Sequence, residues 1–182
     1  MILTAADPVT FILWEDDGGQ DTPLEEEREF FAVRERMLAI LQDRSRDFDS
    51  RAAHLAAFCG LNSDTRAPAD WAEIYRSLER LDSAWDACLD RLAACEKWAG
   101  GGERDSVWEQ LAVYFILRYT PQSLDDGLLA PRVAFALHAV SLIRTLGQGM
   151  SMDELCELCR MYSCEIEYSE ENVAELMGRV TV

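Results

Sequence analysis

Cys156-x2-Cys159-x4-Cys164 is the densest group of soft ligands in this 182-residue chain. Thiolates at such spacing suit zinc or an iron–sulfur cluster. With about 100° of rotation per helical residue, however, Leu155, Leu158, Tyr162 and Ile166 share one apolar stripe. Cys159 borders that stripe, and Cys156 and Cys164 fan out beyond it. Three thiols over so wide an arc of one helix cannot close tetrahedrally on one ion. They read as packed thiols with no metal, and two of them at i, i+3 make poor disulfide partners. His54 and His138 are the only histidines. His138 beside a cysteine or a carboxylate could act as a base, but no nucleophile motif surrounds either residue. Arg118 and Arg144 are cations on apolar helices, so each needs an acidic partner or an anionic ligand in a cleft. Gly100-Gly101-Gly102 lies between helices and follows no strand, which removes the phosphate-cradling context.

Those residues must be positioned by helices. Val9, Phe11 and Leu13 hint at a short extended arm over residues 1–21. Thr22-Pro23-Leu24-Glu25 is a capping box with proline at the first helical position, opening a helix to about Gln42. A second helix is expected over about Ser50–Cys59, stopped by Gly60. The stretch 70–99 repeats Trp71, Ile74, Leu78, Leu81, Trp85, Cys88, Leu92 and Cys95 every three or four residues. It forms one long helix or two with a bend near Asp82. Two nearly all-apolar helices, about 106–119 and 131–147, are expected at the centre. Ser106 should cap the first, and SLDDGLLA between them reads as a loop or a single turn. Ser151 to Glu154 caps the cysteine-bearing helix, and Ser169 caps a last one that Gly178 stops. The expected fold is all-α: one compact bundle of about seven helices over residues 22–182.

Composition narrows the function. Seventeen basic residues face 34 acidic ones, a net charge of −17, which argues against holding nucleic acid through its phosphates. Lys97 is the only lysine. Acids concentrate in residues 1–30 and 151–178, and such faces suit a partner with a basic surface. No apolar run reaches the roughly 18 residues of a membrane span. Six cysteines without a secretory leader fit the cytoplasm.

The run Tyr162-Ser163-Cys164-Glu165-Ile166-Glu167-Tyr168-Ser169-Glu170-Glu171-Asn172 resembles the C-terminal part of the flagellin lysine-N-methylase family. REFFAVRERMLAILQDRS, WEQLAVYFILRY and PRVAFALHAVSLIR precede it in the order the family shows, so the likeness covers about residues 25–178. The resemblance implies methyl transfer to lysine side chains of flagellin, with S-adenosylmethionine as cofactor if that activity is retained. It also implies that Tyr162, Glu165, Glu167, Glu170 and Asn172 shape a binding surface. The family's N-terminal cysteine cluster has no counterpart before Cys59, and Tyr168 stands where the family has histidine. The expected role is therefore a protein-binding or substrate-docking module without catalysis or cofactor of its own. A second expectation, from charge alone, is an acidic inhibitor that blocks a nucleic-acid-binding protein by mimicry, as phage-encoded anti-CRISPR proteins do. A third is a small-molecule enzyme using His138, Arg118 and Arg144 between the two apolar helices.

Overall fold

The computed structural model describes residues 25–62, 64–101 and 104–180. The expected arm and the Thr22-Pro23 helix start lie outside the described residues. In chain order the helices are α1 (Glu25–Leu41), α2 (Phe48–Phe58), α3 (Pro68–Arg76), α4 (Ala84–Ala93) and α5 (Asp105–Tyr119). A 3-10 turn (Thr120–Gln122) and the four-residue α6 (Ser123–Asp126) lead to α7 (Leu129–Leu146) and α8 (Met152–Tyr162). A π-helical turn (Ser163–Glu167) then joins α8 to α9 (Glu170–Val180). There is no strand among the described residues, so the expected all-α class holds.

Among the described residues the helix count exceeds the expected seven: eight have nine or more residues, and α6 is a single turn. The stretch over 70–99 splits where its chain leaves the helix between Arg76 and Ala84. The N–H groups of Glu79, Leu81 and Asp82 in that link bond to side chains from the far end of the molecule. Tertiary hydrogen bonds thus replace the helical ones that periodicity alone would assign.

Composition explains α7. Its apolar residues run all round the helix, and it packs against α2, α4, α5, α8 and α9. Its 18 residues have a mean hydropathy of 1.3, long and apolar enough to cross a membrane, which corrects the expectation that no run qualifies. Two thirds of that length (67%) is buried inside the protein, as in the core helix of a bundle. The helix ends at Gly147, where a Cβ would stand 2.8 Å from Leu155 Cδ1 and 2.9 Å from the Ile143 carbonyl. Only glycine lets α8 approach this closely. The Ser151 capping box then starts α8: Glu154 accepts from the Ser151 N–H at 2.7 Å, and Ser151 Oγ accepts from the Glu154 N–H at 3.3 Å.

Two expected helix ends differ. α5 begins at Asp105, not at a Ser106 cap. Arg104 takes a left-handed backbone (φ 61°) before it, and the Asp105 carboxylate accepts the Phe48 N–H of α2. Gly178 does not stop the last helix, which continues to Val180.

Candidate functional site

The stripe read from sequence as Leu155, Leu158, Tyr162 and Ile166 is buried along α8 and its π turn. The turn is closed by an i→i+5 bond from the Tyr168 N–H to the Ser163 carbonyl at 3.1 Å. One extra residue per turn redirects the side chains after it. Glu165 points inward to the α3–α4 link, while Glu167 points to α5.

Glu165, 1% exposed, accepts the N–H groups of Leu81 at 2.9 Å and Asp82 at 2.8 Å. Asn172, 3% exposed, accepts from the Glu79 N–H at 3.2 Å. It also donates to the carbonyls of Glu79 and Glu165, each at 2.9 Å. Together they close the backbone of residues 79–82. Ser169 caps α9 through the Asn172 N–H at 3.2 Å, and Glu170 is exposed in the first turn of α9.

Glu167 is a meeting point for α5. Its Oε1 accepts from Tyr114 Oη at 3.1 Å and Tyr119 Oη at 2.9 Å, and Arg118 Nε stands 2.9 Å away. Burial, and then the Glu167 charge, push both tyrosine hydroxyls above their usual range. Tyr162 packs edge-on against Trp85 and Phe115. Its hydroxyl and that of Tyr75 lie beside each other and have no other hydrogen-bond partner, and burial holds both firmly protonated. A groove of about 330 Å³ opens between α5 and α8, walled by Leu111, Tyr114, Phe115, Cys159 and Arg160, with Glu167 among its lining residues.

His138 lies elsewhere, in an aromatic box. Its ring is 3.7 Å from Trp71, 5.5 Å from Trp98 and 6.0 Å from Tyr75, and its Nε2 has no partner. Burial lowers its pKa to about 3, so it stays neutral. Without a carboxylate or thiol in hydrogen-bond contact it has no partner for proton transfer. Arg144 pairs with Asp49 and the Gly101 carbonyl, with Phe48 and Trp108 against its guanidinium. It lines a second groove of about 500 Å³ with Arg104, Trp108 and Gln148, apart from the first. Of the expected site residues, Arg118, Tyr162 and Glu167 therefore border one groove or its hub, while Glu165 and Asn172 close a backbone link. His138 and Arg144 stand alone.

His54 is exposed on α2. Cys156 is exposed and Cys159 half-buried, with its pKa pushed up to about 11 by burial. Arg160 Nη1 lies 3.5 Å from Cys164 Sγ. Among the described residues, no three His, Cys, Asp or Glu side chains are grouped to hold a metal ion.

Sequence reasoning missed the most buried ion cluster. Arg51 and Glu109, 2% and 3% exposed, meet at 2.5 Å; Arg51 also donates to the Leu41 carbonyl at 2.5 Å. Arg44 reaches both Glu109 oxygens. The available signal was a glutamate in an otherwise apolar helix, which also reads as a first-turn cap. Comparison with protein-family models, with curated proteins and with solved structures finds no match.

Proposed function

We propose that this chain is a helical docking module for a protein with a basic surface, with no catalysis of its own. One observation carries the reading: the polar side chains that could do chemistry are engaged in holding the fold. Glu165 and Asn172 close a backbone link, Arg144 is paired, and His138 is sealed among aromatic rings. General acid–base or nucleophilic work needs a titrating group within reach of substrate, and these groups lack that access. What remains at the surface is charge, a net −17, which speeds encounter with a cationic partner and weakens with salt. In this reading α5 and α7 are the rigid centre on which the docking faces hang.

The resemblance to flagellin lysine-N-methylases supports a protein partner. Six free thiols fit a reducing compartment such as the cytoplasm. Calorimetry separates the alternatives. Salt-sensitive binding to a basic protein and no heat with S-adenosylmethionine are expected. Micromolar binding of S-adenosylmethionine would instead make the chain a methyltransferase. Release of DNA from a nuclease by the added protein would favour the nucleic-acid mimic.

A further inference from the structure

The outward side of α2 shows solvent almost no charge. The helix buries Phe48, Arg51 and Leu55 against α1, α5 and α7. Its opposite side presents Ser50, Ala53, His54, Ala57 and Phe58, all exposed, Phe58 by 43%. None of the five is Asp, Glu, Lys or Arg, and Asp49 at the edge is tied to Arg144. Other exposed apolar side chains stand next to acids: Leu81 by Asp82, Leu124 by Asp125 and Met152 by Asp153. A surface helix ordinarily turns charged residues to water, so this face asks for a cover. The basic partner of the docking reading is a poor one, because nothing on the face attracts a cation.

We propose that two copies of the chain pair here, α2 against α2 and antiparallel, about a two-fold axis between residues 54 and 57. Charge selects the occupant. Chains of net charge −17 repel each other wherever their acidic faces meet, and on this face two copies can meet without that repulsion at the contact. The order of residues is also complementary to itself. At about 100° per residue, Ser50, His54 and Ala57 lie along one line of the helix. Reversing a second copy about that axis sets each Ala57 level with His54 of the second copy. A large side chain thus meets a small one in both symmetric layers, as a two-fold contact requires. Phe58 lies to the same side of that line as His54, so it covers the ring of His54 of the second copy. On the other flank Ala53 and Ala57 let the two backbones come close. The helix has 11 residues, about 16 Å, so the contact belongs with small, reversible interfaces.

Sedimentation equilibrium over rising protein concentration tests this. The mass should climb from one chain toward two. Raising salt from about 0.01 to 0.15 M screens the repulsion between like-charged chains and should tighten pairing, the opposite of its effect on docking of a basic protein. Phe58→Ala should weaken pairing about tenfold, through the loss of one covered ring. Ala53→Glu sets a carboxylate from each copy into the close flank and should abolish pairing, with the urea midpoint unchanged because glutamate suits an exposed helical position. Ala174→Glu, the same charge added at an exposed position of α9, should change pairing little. A chain that stays monomeric at every concentration and salt would overturn the proposal and leave this face to a different protein. A dimer that survives both Ala53→Glu and Phe58→Ala would overturn it too. Neither result bears on the docking reading, whose own test is binding of a basic protein.

Discussion

Where α1, α2 and α5 meet, buried charge is matched donor to acceptor; where α3, α7 and α8 meet, buried polar groups stand without ionic partners. In the first region Glu109 takes Arg51 at 2.5 Å and Arg44 at 2.8 Å, while Asp105 Oδ1 has no partner among the described residues. In the second, His138 Nε2 has none, and the Tyr75 and Tyr162 hydroxyls have only each other. The difference follows from what each group can become. Arginine cannot shed its charge inside a protein, so it must bring a counter-ion. Tyrosine and histidine survive burial as neutral groups, at the cost of a displaced pKa. Matched ions fix geometry; neutral aromatics fill space.

Breaking the first region should have the largest effect. Glu109→Ala leaves buried Arg51 with only the longer 3.8 Å contact to Asp105 for its charge, and should cost about 3 kcal/mol in urea unfolding. Replacing both, as Arg51→Met with Glu109→Leu, should recover most of that loss.

The second region should announce itself through pH. The folded pKa of His138, lowered to about 3 from 6.5, means that the unfolded chain takes up the proton first. The stabilisation is complete above pH 6.5 and drains away as pH falls toward 3. Between pH 7 and 4 this should remove about 3 kcal/mol, and His138→Leu should flatten that part of the profile relative to wild type. An unchanged slope in the variant would show that His138 is not the group responsible.

Smaller effects sharpen the contrast. Tyr75→Phe and Tyr162→Phe each remove one hydroxyl of a pair with no other partner, so each should shift stability by less than about 1 kcal/mol. Tyr119→Phe removes a donor to Glu167 and should cost about 1 kcal/mol, read from the same denaturant midpoints. Least of all, Arg160→Ala breaks a pair with both members more than half exposed and should shift stability by less than about 0.5 kcal/mol.

Local features were legible in the sequence. The Ser151 capping box and the stripe from Leu155 to Ile166 need only neighbours three and four residues apart, and both appear as read. The single turn at 123–126 also follows from local residues. The π turn did not, because nothing in YSCEIEYS dictates an i→i+5 bond until Glu165 and Glu167 find partners on different helices. The break between α3 and α4 was legible only as one of two readings of residues 70–99, two helices with a bend near Asp82. Its cause lies in Glu165 and Asn172, some 83 to 93 positions further along the chain. The role of Glu109 was hidden for the same reason, since Arg44 and Arg51 approach it only across a fold. Functional side chains here are read correctly only after the tertiary contacts that engage them are known.

The clasp of Glu165 and Asn172 on residues 79–82 also orders events in time. During synthesis, α3 and α4 leave the ribosome long before the residues that close the turn between them. Until Glu165 and then Asn172 emerge, three backbone N–H groups of that turn have only water to bond. The nascent chain therefore holds a half-finished helical hairpin. Locking of the turn between α3 and α4 waits for α9, so that this helix acts as the latch.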